Sequence, residues 1–287
     1  MISVGHSPDA DDLFMYYPIV FGWANSKYGL KFKNIALDIQ TLNQKVLKQE
    51  YDVSAISFAL YPKVRKEYAL LRTGVSFGNG YGPKLVKRKN TILKRNFKVA
   101  LSGEHTSNAL LFKIAYPDAR IIYKNFLEIE KAVLDQEVDA GVLIHESILC
   151  YDQNLVVERE LWDIWLELAK ENLPLPLGGM VIRRSIPLNK AIDIENTLTD
   201  AVKLALTGKR ILSNMLLERG IIRVGEKELQ TYLNLYANTD SIEINEKQKK
   251  GIEMMFRLGY DNGFYDTLID NCEDYCVPKE YLTLRYS

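Results

Sequence analysis

Short β-like runs alternate with helical patterns along this chain, and each run ends on small or polar residues just before a helix begins. That alternation is the signature of an α/β architecture with mostly parallel strands, and it places ligand-binding groups at strand ends. Four junctions carry the argument. Ile2 to Gly5 reads as an opening strand, followed by Ser7-Pro8-Asp9 with capping residues and a Pro suited to a first helical turn. The helix is expected to run through Leu13, Phe14, Tyr17 and Phe21. Asp52 to Ser57 is a second strand, ending on Ser57 ahead of another helical segment.

The third junction is Phe97 to Leu101, then Ser102-Gly-Glu-His-Thr-Ser-Asn, then the apolar helical stretch from Ala109 to Ala115. Thr106 or Ser107 is the expected N-cap. The unpaired amides of such a first turn, with the positive end of the helix dipole, suit a carboxylate or phosphate. A hydroxyl that only caps the helix is the competing reading. The fourth junction is Val138 to Ile144, a continuous apolar run typical of a strand covered on both faces. It delivers His145 and Glu146 at its end.

Two stretches read as crossings between lobes. Gly78-Asn-Gly-Tyr-Gly-Pro precedes a strand beginning at Lys84, and Leu173-Pro-Leu-Pro-Leu-Gly-Gly precedes Met180-Val-Ile. We therefore expect a discontinuous first lobe of residues 1–84 and 180–287, and a second lobe of residues 85–179, with the site between them. From Pro187 onward the pattern is mainly helical, with Ile194, Leu198, Val202 and Leu206 at four-residue spacing.

The 287-residue length fits two lobes, and 47% apolar residues supply a core. Lys plus Arg and Asp plus Glu balance at 37 each, so no global field collects nucleic acid or anionic lipid. No apolar run approaches the roughly 20 residues of a membrane span. The opening residues have no basic region and no long apolar stretch before the first acidic cluster, so a cytoplasmic protein is expected. Cys150, Cys272 and Cys276 read as partly buried thiols rather than a zinc site. Trp162 and Trp165, three apart on one helix face, read as core.

Several motif matches fail. Gly74-Val-Ser-Phe-Gly fits G-x-S-x-G, but the glycine-rich segment after it cannot open the helix a nucleophile elbow requires. The same glycines lack the spacing of a dinucleotide site, and no P-loop is present. His6, Asp9, Asp11 and Asp12 are not read as metal ligands, because adjacent carboxylates at a helix start more often serve as caps and dipole partners. Of the three histidines, all placed where a cleft forms, His145 stands out as a proton-transfer base because a buried strand aims it.

In order along the chain, Gly5-His-Ser-Pro-Asp-Ala-Asp-Asp-Leu-Phe-Met-Tyr, Asp52-Val-Ser-Ala-Ile-Ser-Phe, Gly103-Glu-His-Thr-Ser, Leu143-Ile-His-Glu and Leu175-Pro-Leu-Gly-Gly resemble successive blocks of the 1,4-dihydroxy-6-naphthoate synthase family. The resemblance implies a fold similar to type II periplasmic binding proteins, two α/β lobes with a hinge, and no redox cofactor or required metal. It implies a lyase of the futalosine route to menaquinone, converting cyclic dehypoxanthinyl futalosine to dihydroxynaphthoate. His145 matches the family's proposed base. The strand end from Ser54 to Ser57 and the hydroxyls of Thr106 and Ser107 match its substrate contacts, leaving open which of Ser54, Ile56 and Ser57 touches the ligand. Asp11 and Glu146 are carried as further contacts, with Asp9 and Asp12 as alternatives for holding hydroxyls of the sugar-derived portion. The partner implied is a small carboxylated molecule. Two rivals remain: a chorismate dehydratase of the same pathway, which acts on a smaller carboxylate, and a solute-binding protein, which returns its ligand unchanged.

Overall fold

The computed structural model describes residues 1–222 and 224–279. Two five-stranded sheets form its frame. The first has the order β2-β1-β3-β10-β4, built from β1 (Ile2–His6), β2 (Phe32–Ala36), β3 (Val53–Ser57), β4 (Tyr68–Gly78) and β10 (Leu175–Arg183). The second has the order β7-β6-β8-β5-β9, from β5 (Lys84–Arg88), β6 (Lys98–Leu101), β7 (Arg120–Tyr123), β8 (Ala140–Leu143) and β9 (Leu155–Glu160). The lobe expected over 180–287 extends to residues 280–287, which lie outside the described residues.

The helices are α1 (Ala10–Val20), α2 (Ile39–Leu47), α3 (Tyr61–Val64), α4 (Ser107–Ala115), α5 (Phe126–Leu134), α6 (Leu161–Ala169), α7 (Leu188–Thr207), α8 (Lys209–Glu218), α9 (Glu226–Tyr236) and α10 (Glu246–Asp261). None is long and apolar enough to cross a membrane.

The expectation of mostly parallel strands is corrected. β1 runs parallel to β2 and β3, and β6 parallel to β7 and β8, but β10 is antiparallel to both its neighbours and so is β5. β5 follows one expected crossing, while β10 begins at Leu175, inside the other, so the strand expected from Met180 starts earlier. A strand entering a sheet from outside needs no helical crossover on that sheet's face, so the constraint that makes sequential βαβ strands parallel does not act on it.

Other expectations meet the structure at single residues. Pro8 precedes the N-cap position of α1, which Asp9 occupies, so the Pro stands outside the first turn. Gly74 to Gly78 lies within β4, as the failure of the elbow motif requires. Trp165 is fully buried and donates its indole N–H to the Leu173 carbonyl at 2.7 Å, while Trp162 is half-buried on the same core. Cys272 and Cys276 are buried, but Cys150 is exposed, because it follows the turn that carries the chain off β8.

β8 is buried at all four positions. Helix α5 packs so closely on it that a Cβ at Gly141 would meet Ile129 Cγ2 at 2.5 Å. The strand carrying His145 is thus held from both sides by the second lobe's core, which includes Ile129, Val133, Val99 and Val142.

Candidate active site

A cavity of about 100 Å³ lies between the ends of the two sheets. The side built on the first sheet lines it with Ser7, Asp9, Asp11 and Asp12 around the start of α1, with Ala55, Ile56 and Ser57 of β3, and with Gly178 and Gly179 of β10. The second lobe supplies Ser102, Thr106, Ser107 and Asn108 at the start of α4, and Ile144 and His145 after β8. Among the described residues no Lys or Arg lines this cavity. Among the described residues no group of three His, Cys, Asp or Glu is arranged to hold a metal ion.

His145 is set in an unusual backbone state. Its φ is 56°, in the left-handed region that non-glycine residues seldom enter. The other described non-glycine residues with positive φ, Gln49, Gln136 and Lys170, all follow helix ends, where such a turn is routine. His145 instead makes the turn from β8 into a short 3-10 segment, His145–Ile148. Strained residues of this kind persist where surrounding contacts over-determine them. Here the ring packs edge-on against Phe126 at 4.9 Å between centroids, and Nδ1 lies 2.8 Å from Asp9 Oδ2 across the cleft.

The Nε2 atom of His145 has no hydrogen-bond partner among the described residues. Burial, the largest single influence, opposes the imidazolium. The carboxylate of Asp9 beside Nδ1, with Glu146 and Asp11 nearby, outweighs that opposition and raises the pKa to about 9. The group is a strong base whose charged form persists at neutral pH.

The acidic residues after β1 do not act as simple helix caps, which corrects that expectation. Asp9 stands at the N-cap of α1 yet makes no capping bond with its side chain. It accepts from Ser7 Oγ and faces His145. The first amide of the helix, Ala10 N, donates instead to Glu146 Oε1 at 2.9 Å, from the other lobe. Glu146 therefore clasps α1 and is not among the residues lining the cavity. Asp12 accepts from Ser7 N at 2.7 Å. Asp11 is buried in the cavity wall.

At the start of α4, Thr106 is the N-cap, accepting from Ala109 N at 3.3 Å and donating to the Gly103 carbonyl at 2.8 Å. Ser107 Oγ donates to the Leu177 carbonyl at 2.7 Å and accepts from Ala59 N at 3.3 Å, so this hydroxyl ties the two lobes together. The Ser107 and Asn108 amides belong to the helix's unpaired first turn and remain available to an anion.

On β3, Ile56 and Ser57 line the cavity, whereas Ser54 does not; its hydroxyl donates to the Ala55 carbonyl at 3.0 Å on the side facing Gly5. Asn43, fully buried on α2, holds Ser57 twice: its Oδ1 accepts from Ser57 N at 3.0 Å and its Nδ2 donates to Ser57 Oγ at 3.1 Å. Asn43, Asn108, Ser102, Tyr232 and Tyr236 belong to the site or its support and were not anticipated. A buried Asn beside Leu42 was the one legible signal; Tyr232 and Tyr236, four apart on α9, read as an ordinary core stripe.

The other two histidines fall outside this cavity. His6 has Nδ1 2.7 Å from the Ser7 carbonyl and Nε2 against Asn34 Oδ1, and its ring lies 4.8 Å from that of Tyr16. His105 is half-buried beside Asn43, and burial first, then Lys63, lowers its pKa.

A family model described as menaquinone biosynthesis matches residues 2–261. Over 255 residues the chain is 26% identical to the 1,4-dihydroxy-6-naphthoate synthase of Thermus thermophilus, covering 89% of this chain and 92% of that one. It is 31% identical over 193 residues to the Streptomyces coelicolor protein of the same name, covering 64% and 67% respectively. A crystal structure of an Archaeoglobus fulgidus protein aligns with a TM-score of 0.84 at 30% identity, over 92% of this chain and 98% of that one. The periplasmic aliphatic sulphonate binding protein of Escherichia coli aligns with a TM-score of 0.66 at 12% identity, over 96% and 97%. At that identity the likeness concerns fold alone, the two-lobed fold of periplasmic binding proteins.

Proposed function

The chain belongs to the menaquinone-biosynthesis family, and from that premise we propose that it is a 1,4-dihydroxy-6-naphthoate synthase acting on cyclic dehypoxanthinyl futalosine. The observation that carries the reading is the disposition of His145. One ring nitrogen is anchored on Asp9 and the other, unpaired among the described residues, belongs to a residue lining the inter-lobe cavity. That is the arrangement a general base requires, with a third group fixing its tautomer and raising its basicity.

The substrate bears a carboxylated aromatic ring and a carbonyl. In this reading its carboxylate lies at the Ser107 and Asn108 amides, where the dipole of α4 favours an anion and no Lys or Arg is needed. Ile56 and Ser57 bound the reacting part, Ser57 held by Asn43, with Ser54 supporting the strand from behind. His145 takes the proton beside the carbonyl in its neutral form, a minority at neutral pH that grows as pH rises toward about 9, and bond cleavage with aromatisation then releases the sugar-derived portion. The lobes are residues 1–84 with 180–287 and residues 85–179, hinged so that closure excludes water and brings Asp9 to His145. A cytoplasmic setting belongs to the same reading.

Incubation of the purified protein with cyclic dehypoxanthinyl futalosine, followed by chromatography, tests it. Appearance of 1,4-dihydroxy-6-naphthoate is expected. Substrate returned unchanged from a tight complex, or conversion of chorismate in a parallel reaction, would replace this reading with a binding protein or a dehydratase.

A further inference from the structure

We propose that Asn43 is a positioning residue that fixes the Ser57 hydroxyl as a hydrogen-bond donor to an oxygen of the substrate, a step that rests on the synthase reading and deepens it. One side-chain amide with three partners carries the point. Asn43 on α2 is fully buried; its Oδ1 lies 3.0 Å from Ser57 N, and its Nδ2 lies 3.1 Å from Ser57 Oγ and 3.5 Å from the His105 carbonyl oxygen.

Two of those partners admit one role each. A backbone N–H only donates and a carbonyl only accepts, so the amide oxygen must face Ser57 N and the amide nitrogen must face His105. The amide cannot be turned over. Its nitrogen offers hydrogens and no lone pair, so Ser57 Oγ accepts from it and the hydroxyl's own proton points away from Asn43. Gln40, on the same helix, accepts from His105 N at 3.3 Å, so α2 grips His105 by both backbone groups and keeps the amide in place.

Nothing local competes for that oxygen. Ser57 stands at the N-cap of the short 3-10 segment Phe58–Leu60, yet its side chain makes no capping bond. Ser7, Thr106 and Ser107 also line the cavity, but each gives its hydroxyl proton to a protein oxygen, on Asp9, Gly103 and Leu177 respectively. Ser57 differs in having its direction set by a donor while it lines the cavity. A hydrogen-bond donor aimed before the substrate arrives need not reorganise when charge builds on the oxygen it faces.

A double-mutant cycle in kcat/KM tests this, with wild type, Asn43→Asp, Ser57→Ala and the double variant compared at about pH 9, where the introduced carboxyl is ionised even if burial raises its pKa. Asn43→Asp keeps the side-chain shape and the acceptor for Ser57 N, but it presents an acceptor to Ser57 Oγ and draws the hydroxyl proton out of the cavity. Each single variant is expected to lose about 10- to 100-fold in kcat/KM, the worth of a hydrogen bond to a charged oxygen. The double variant should lose no more than Ser57→Ala. Both singles should also divide their loss between kcat and KM in the same proportion, because the amide acts through the hydroxyl. Losses that multiply in the double variant would place the effect of Asn43 at the His105 carbonyl or in the fold, and that overturns the proposal. Wild-type kcat/KM in folded Asn43→Asp, or in Ser57→Ala, overturns it as well. Thermal melts show which variants fold, and if Asn43→Asp does not, Asn43→Ser takes its place in the same cycle with the same non-additive result expected. Failure of the synthase reading is separate: wild type then yields no dihydroxynaphthoate at any pH.

Discussion

His145 Nδ1 and Asp9 Oδ2 lie 2.8 Å apart although 136 residues separate them in the chain, and this contact joins the two lobes at the floor of the cavity. It works on three levels at once. It fixes the imidazole so that Nδ1 carries the proton and Nε2 is the basic atom. It offsets the burial that would otherwise suppress the imidazolium. With the Glu146 clasp on Ala10 N, it also holds the start of α1 against the end of β8.

The first prediction removes that carboxylate. Asp9→Asn leaves burial to act against the charged ring with less opposition, so the His145 pKa should fall from about 9 toward or below its ordinary value. The chain has three histidines, so side-chain NMR titration resolves each. A His145 midpoint unmoved by Asp9→Asn would show that Asp9 does not set its basicity. Above about pH 9, where the ring is neutral in both proteins, turnover should fall too, since a weaker and less firmly oriented base replaces the original.

Much of this was legible in the chain, and the parts that were not share a cause. β8 announces itself because a strand buried on both faces reads as an unbroken apolar run, β3 because small polar and apolar residues alternate along it, and Thr106 announces the start of α4 because capping is local chemistry. The directions of β5 and β10 are not local. They depend on where the chain re-enters a sheet, which no window of residues records. The same holds for Asp9, whose acidic neighbours suggested a cap, while its actual partner comes from the other lobe. The positive φ of His145 was equally hidden, because a histidine gives none of the conformational warning a glycine would.

Thr106 and Ser107 should separate into a cap and a tie. Thr106→Ala removes the bonds to Ala109 N and the Gly103 carbonyl and should cost about 0.5–2 kcal/mol of stability by thermal or denaturant melt. Ser107→Ala leaves the Leu177 carbonyl and Ala59 N without their shared partner, loosening the lobes where the substrate carboxylate is placed. Calorimetry should then show weaker binding for Ser107→Ala beyond any change in the melt. Equal affinities for both variants and wild type would move the carboxylate elsewhere.

Gly179 is predicted to tolerate no side chain. A Cβ there would lie 2.7 Å from Phe58 Cζ, and Phe58 is fully buried against Phe77, so the ring has little room to withdraw. Gly179→Ala should destabilise the protein by about 1–3 kcal/mol through overpacking. It should also raise KM, because β10 pairs Gly179 with Ile56 and both line the cavity. A melt and a steady-state assay check the two effects, and an unchanged Tm would show that Phe58 moves freely.

The last prediction concerns His145 itself. His145→Asn should leave the fold and much of the binding intact while single-turnover rates fall by about 10²–10⁴, the usual contribution of a positioned base. Stability supplies an independent readout. A histidine whose folded pKa is raised above its unfolded value stabilises most below the unfolded value, and that stabilisation is lost as pH rises through the folded one. For His145 the window runs from about 6.5 to about 9. Wild type should therefore lose up to about 3 kcal/mol of stability across it, a loss that His145→Asn does not share. A purely structural histidine predicts a different pair of results: a variant that melts early yet turns over normally per folded molecule. Single-turnover rates measured beside melts at the two ends of that window distinguish the cases, and near-normal turnover in folded His145→Asn would end the assignment of this residue as the base.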